Sequence, residues 1–263
     1  MTDADTPAPM LIGMDGGVMT VTLNAPRLRN SMAAPGLKTA LHAAVERFAV
    51  HDTARVLVLT GAGGAFSAGG DLKQLRELDP IALRQRLAHG AKLFRCIVQG
   101  EKPVIAAVEG PAFGAGLGLV AACDVVVAAR DARFCAAFVR VGAMPDAALF
   151  WSLPWRVGPA KARDLMMFAD ELDGVEAVRI GLADRLVEPG QALAEAQRLA
   201  CRLAEGPSIA LRRIKATIRH APMSFDQALQ AELDNAPQIF ATEDFREGAQ
   251  AFLEKRKPRF QGR

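Results

Sequence analysis

Little in this 263-residue chain commits it to metal, redox or nucleic-acid chemistry. Cys96, Cys123, Cys135 and Cys201 form no C-x-x-C pair and follow no regular spacing. That pattern points to reduced thiols rather than to a disulfide framework or a zinc site. His42, His51, His89 and His220 sit in helical or helix-end contexts without metal-ligand spacing, so no metal is expected. The net charge is only +3. The clearest basic cluster, Lys255-Arg256-Lys257-Pro258-Arg259, is short and broken by proline, which is no footprint for nucleic acid. The most apolar stretch, Val104 to Ala129, contains Glu109, Pro111, Asp124 and several glycines, which argues against a membrane span. Met1 to Met10 is acidic and lacks the positive and apolar regions of a signal peptide, so a cytoplasmic location is expected. There is no internal repeat and no low-complexity segment.

What is present is a globular composition, 51% hydrophobic and 23% charged. Met10–Met14 and Val18–Leu23 flank Asp15-Gly16-Gly17 and read as a hairpin. Residues 33–49 carry an apolar face of Leu37, Leu41, Ala44, Val45 and Phe48, which predicts a helix. Arg55–Thr60, Pro103–Val108 and Asp124–Ala129 are short apolar strands, the first two leading into glycine-rich segments. The stretch from Leu72 to Val98 is polar and helical. This alternation indicates an α/β fold. From about residue 190 the texture turns helical, over 191–204, 208–220, 224–235 and 243–255. Ala204-Glu205-Gly206-Pro207 breaks the pattern, so the chain divides into a core, 1–204, and a helical region, 205–263. A region that small buries little surface alone and is expected to pack on the core or on another subunit.

The two glycine-rich segments carry the chemistry. The first runs from Gly61 to Leu72. A nucleophile elbow fails because Ala65 stands where G-x-S-x-G needs glycine. A Walker loop fails because no Gly-Lys-Ser/Thr follows. The second runs from Gly110 to Leu119. Its match to a dinucleotide fingerprint is loose, because seven residues outside the strand intervene. Two readings stay open for such segments: tight turns with no ligand, or loops whose backbone N–H groups face a ligand oxygen. In the second reading the two loops each aim one N–H at a single oxygen, an oxyanion hole for a thioester carbonyl becoming an enolate, and the small residues Ala68 and Ala115 allow the close backbone approach this requires.

Several ordered motifs make the chain resemble the crotonase superfamily, the enoyl-CoA hydratases and isomerases, over nearly its whole length. They are Leu23-Asn24-Ala25-Pro26-Arg27-Leu28-Arg29-Asn30, the loop Ala65–Leu72, Lys102-Pro103-Val104-Ile105-Ala106-Ala107-Val108-Glu109-Gly110, Ala122-Cys123-Asp124, and Phe252 to Phe260. The resemblance implies a spiral of ββα units and a C-terminal α-helical region used in homotrimer or hexamer assembly. It implies an acyl-CoA thioester as partner, with coenzyme A part of the substrate and no separate cofactor. It implies that Ala68 and Ala115 donate the oxyanion N–H groups. It also implies coenzyme A or substrate contacts at Arg27, Leu28, Arg29, Ala68, Gly69, Gly70, Asp71, Leu72, Gly114 and Phe138, and at Lys257 near the nucleotide phosphate.

The chain departs from the hydratase members at the two glutamates that activate water, which align with Gly118 and Phe138. Neither residue accepts a proton, and adding water needs an oriented base and acid. Asp146, in Val141-Gly142-Ala143-Met144-Pro145-Asp146, lies where isomerase members carry an active aspartate, and 137–146 resembles the epoxyphenylacetyl-CoA isomerase branch. Asp146 suits a one-base proton shuttle, but Pro-Asp before Ala-Ala-Leu-Phe is equally a helix N-cap. Phe138, Phe150 and Trp151 suggest an aromatic-lined acyl pocket or ordinary core packing. His89 is the histidine placed to approach that pocket. The sequence thus points to an isomerase-type enzyme on an acyl-CoA, with a hydratase and a non-catalytic thioester binder as alternatives.

Overall fold

The computed structural model describes residues 8–70, 79–220 and 222–263. Met10–Asp15 (β1) and Val18–Leu23 (β2) form the expected hairpin, joined by Gly16 and Gly17, both at positive φ. Leu37–Val50 (α1) follows, starting four residues later than the apolar pattern predicts, because Gly36 at φ 71° holds the preceding turn out of helical geometry. Val56–Gly61 (β3), Val104–Val108 (β4) and Val125–Ala129 (β6) pair in parallel beside β2, and Arg185–Val187 (β9) closes the sheet in the order β1-β2-β3-β4-β6-β9. The central strands are apolar on both faces because both are covered.

A second sheet, β5-β7-β8, is made of Pro111–Phe113, Arg133–Cys135 and Leu172–Asp173. All three strands have only two or three residues, too short to leave a period-2 signal, and the sequence pattern does not reveal them. The segment after Gly110 is therefore strand before it is helix. Ser67 bridges to Ala112, so the chain steps repeatedly from the large sheet to the small one and then into a helix. These steps give the expected crotonase-type spiral of ββα units. Pro80–Gln99 (α2) is capped by Asp79, whose carboxylate accepts the N–H groups of Ile81 and Ala82 at 2.8 and 2.9 Å. Ala115–Ala122 (α3) is buried throughout. Leu149–Val157 (α4), Pro159–Phe168 (α5) and Gly174–Arg179 (α6) lead to β9.

Ala192–Ala204 (α7) lays an alanine stripe, 192, 196, 200 and 204, on one face of the large sheet against Val58, Ile105 and Val127. The other face packs on α1 and α3. Beyond Ala204 come Ser208–Ile218 (α8), Phe225–Phe240 (α9) and Glu243–Leu253 (α10). α9 runs five residues past the expected end, through Pro237. The α8 helix is tied to the core by the buried Lys215, whose amine donates to the carbonyls of Ile97 and Lys102 and to Asp124 at 2.7–2.9 Å. Phe225, Leu233, Phe252 and Leu253 of this region stay exposed. Among the described residues no helix is long and apolar enough to cross a membrane.

Candidate active site

The first glycine loop is shaped by the turn at residues 25–32. Asn30 is fully buried; its amide donates to the carbonyls of Ala62 and Ala65 at 2.9 and 2.6 Å, and its Oδ1 accepts the Ala25 N–H. Ser67, also buried, donates to the Asn30 carbonyl at 2.7 Å and accepts the Gly69 N–H. Ser31 and Met32 both donate to the Gly69 carbonyl. Arg29 and Asn30 hold left-handed φ of 48° and 51°, strain that this dense bonding pays for.

These bonds decide which N–H groups face a ligand, and they correct one expectation. The Ala68 N–H donates to the Arg29 carbonyl at 2.8 Å, so it is spent inside the protein. The Gly69 N–H is spent on Ser67. The next residue, Gly70, lines a cavity of about 820 Å³ together with Ala115. Ala115 is the first residue of α3, where a helix leaves its N–H groups without intrahelical acceptors. Neither N–H has a partner among the described residues. The two loops touch closely: a Cβ added to Gly69, at φ +85°, would lie 2.5 Å from the Phe113 carbonyl oxygen and 3.3 Å from the Ala115 nitrogen. Gly70 and Ala115 thus leave their N–H groups free at this cavity, and Ala68 anchors the loop.

Asp146 lines the same cavity. It does not cap the following helix: the N-cap of α4 is Ala148, with no side-chain cap, and only the Asp146 carbonyl accepts the Leu149 N–H. Ala147 and Ala148 follow at φ 54° and 60°, two left-handed alanines that turn the carboxylate toward the cavity rather than the helix end. Burial pushes the Asp146 carboxyl above the usual carboxylate range, and the Lys38 ammonium pulls it back. Lys38 lines the cavity too; burial and then Arg86 hold its amine below the usual lysine range, against Asp146.

Gly118 sits one turn into α3, directly beneath that turn. A Cβ there would meet the Ala147 carbonyl oxygen at 2.4 Å and the Ala147 Cβ at 2.6 Å. The residues that present Asp146 therefore fill the space a side chain at 118 would need. Phe138, in the short helix Ala137–Val141, packs on the core beside Gly114 and does not line the cavity. Phe150 and Met144 are exposed, and the aromatic walls are Phe94 and Trp151.

Of the other expected residues, Arg27, Leu28 and Arg29 lie exposed on the turn outside the cavity. Lys257 is exposed and paired with Glu205 at 2.8 Å. Asp71 and Leu72 lie outside the described residues. His89 does not approach the cavity; it meets the His42 ring edge-on at 5.5 Å, between α1 and α2. There His42, Glu46 and Cys96 bring three possible metal-ligand atoms within 4.8 Å of one another. They come from two helices, so no sequence spacing announced them. Sequence reasoning also missed Lys38, Arg95, Arg219 and His220, which line the cavity from three separate segments.

Comparison with known proteins agrees with this arrangement. The sequence pattern of the enoyl-CoA hydratase/isomerase family matches residues 13–263. The chain is 39% identical over 216 residues to the crotonyl-CoA hydratase of Syntrophomonas wolfei, covering 81% of this chain and 83% of that one. It is 36% identical over 260 residues to the 1,2-epoxyphenylacetyl-CoA isomerase of Escherichia coli K12, covering 97% and 98%. The crystal structure of an enoyl-CoA hydratase from Bacillus anthracis superposes with a TM-score of 0.92 at 29% identity, over 97% of this chain and all of that one. With the fold, the paired glycine loops and these relatives in agreement, the chain belongs to the enoyl-CoA hydratase/isomerase family of the crotonase superfamily.

Proposed function

We propose that this enzyme is an isomerase: it moves a double bond in an enoyl-CoA thioester with Asp146 as its single base. The thioester oxygen is held by the N–H groups of Gly70 and Ala115. The Asp146 carboxylate takes a proton from the γ-carbon, the electron pair moves into the conjugated system, and negative charge collects on the oxygen as a dienolate. Asp146, now the acid, returns the proton to the α-carbon. Each N–H donor is worth about 2.7–4 kcal/mol to such an oxyanion. The burial that raises Asp146 brings it nearer the range useful for a base at neutral pH.

The observation that carries this reading is the contact between Gly118 and Ala147. Hydration needs a second carboxylate to orient water, and the position where hydratase members carry it is closed by the Asp146 turn. Hydration is the competing reading, and the name of the Syntrophomonas wolfei relative speaks for it. The exposed Phe225, Leu233, Phe252 and Leu253 support a homotrimer built through the helical region, which sedimentation would report as a species of at least three chains.

A panel of enoyl-CoA esters in deuterated water tests the reaction. Deuterium uptake and a shifted double bond without added mass of water are expected. Asp146→Asn should lose about 10²–10⁴ in exchange rate while staying folded. Water addition by the parent enzyme refutes the isomerase reading. Neither exchange nor water addition leaves a thioester-binding protein. An Asn variant that exchanges as fast as the parent removes Asp146 from the mechanism.

A further inference from the structure

The cavity holds more positive charge than its proton chemistry uses. Among the described residues Lys38, Arg95 and Arg219 line it, with His220, and Asp146 is the carboxylate beside them. These groups are ordered along α2. At one level Lys38 reaches α2 beside Gly90, its Nζ lying 3.0 Å from a Cβ built there, and it is the cation that acts on Asp146. At the far end Arg219, from the C-terminus of α8, donates to the Gln99 carbonyl, and its Nε meets His220 Nε2 at 3.4 Å. Gly90 and Gln99 are nine residues apart, which at about 1.5 Å per residue sets these levels about 13 Å apart. Between them the wall is apolar, from Phe94, Val98, Trp151 and Leu119, the last one helical turn deeper than Ala115.

The lining thus combines an apolar stretch of α2 with cations toward the C-terminal end of that helix. Some arginines of this chain are matched by acids, as Arg156 is by Asp184 and Arg256 by Glu247. Among the described residues neither Arg95 nor Arg219 has an acidic partner. A corridor made only for a hydrocarbon tail would gain nothing from guanidinium groups at its end. A carboxylate there would gain charge-assisted hydrogen bonds from a fork of the right geometry.

Resting on the acyl-CoA reading above, we propose that the distal end of this cavity binds a carboxylate at the far end of the acyl chain. The preferred substrates are then coenzyme A thioesters of dicarboxylic acids. The phosphates of coenzyme A are the other anion these cations could meet. Arg219 stands at the C-terminal end of α2, away from the level at which Lys38 acts on Asp146, and binding of thioesters that differ only at the far end of the acyl chain separates the two anions.

Calorimetric binding separates the cases without depending on turnover. Hexanoyl-CoA and adipyl-CoA have acyl chains of equal length and differ only in the terminal group. Adipyl-CoA should bind more tightly to the intact enzyme by about 10- to 100-fold, the worth of one or two hydrogen bonds to a charged group. Arg95→Gln should bring the two affinities within about threefold of each other. Arg219→Gln should act in the same direction, but Arg219 also ties α8 to α2, so Arg95→Gln is the decisive variant. Equal affinity of the two thioesters overturns the proposal and leaves the isomerase reading standing. A preference that survives in Arg95→Gln, or an equal loss for both thioesters pointing to the phosphates, also overturns it. If neither thioester binds, the acyl-CoA reading falls as well.

Discussion

Restoring a glutamate at position 118 would not turn this enzyme into a hydratase; it would damage the fold first. Gly118 is buried in α3, and any Cβ there falls 2.4 Å from the Ala147 carbonyl oxygen, a backbone atom that no rotamer change can move. Ala147 is itself held at φ 54° between Asp146 and a second left-handed alanine, so the neighbour that must yield is already strained. Overpacking of this kind costs about 1–3 kcal/mol for Gly118→Ala. A glutamate adds the penalty of a buried polar group with no partner, about 1–3 kcal/mol more. For a chain of this size each kcal/mol lowers the melting temperature by about 2–4 °C. Thermal melts should therefore fall by about 2–12 °C for Gly118→Ala and further for Gly118→Glu. Both variants should lose isomerisation, because the turn that moves is the one carrying Asp146. A Gly118→Ala protein that melts with the parent and retains full turnover would show that 118 and 147 are not in contact. A Gly118→Glu protein that gains water-adding activity would refute the steric argument altogether.

Four further outcomes follow from the structure. Ala115→Pro removes an oxyanion donor at the first position of α3, where helices tolerate proline, so the rate should drop by about 10²–10³ while circular dichroism stays unchanged. Because burial raises the Asp146 carboxyl, the folded state holds its proton over a range where the unfolded chain has lost it. Stability therefore declines as pH rises through that window, and Asp146→Asn should melt at or above the parent at neutral pH. Lys38→Met removes the opposing cation, and the acid limb of the pH–rate profile should move to higher pH, whereas Lys38→Arg should hold it in place. Lys215→Met removes three bonds of a buried amine and leaves Asp124 with the Val104 N–H, which should cost about 1–3 kcal/mol by denaturant unfolding.

The sequence by itself determined the parts whose signal is local. The runs Val56–Gly61, Val104–Val108 and Val125–Ala129 are apolar on both faces, and a strand buried on both faces reads as a continuous run. The α1 face, the breaks after Ala204 and the ordered family motifs were equally legible, and with them the fold class, the two glycine loops and the missing glutamates. Ala68 illustrates the limit. Its small side chain permits a close approach, but whether its N–H is free depends on the Arg29 carbonyl, 39 positions earlier, and that bond leaves the neighbouring Gly70 as the free N–H of the loop. Asp146 was ambiguous between cap and base because both need the same local residues. The left-handed Ala147 and Ala148, which no propensity for alanine predicts, took it off the helix end. Lys38, Arg95, Arg219 and His220 share no spacing, and only the packing of α8 across the end of α2, fixed by Lys215, brings them to one cavity. Backbone hydrogen-bond partners and side chains converging from distant segments are set by tertiary packing, so their chemistry could be read only from the folded chain.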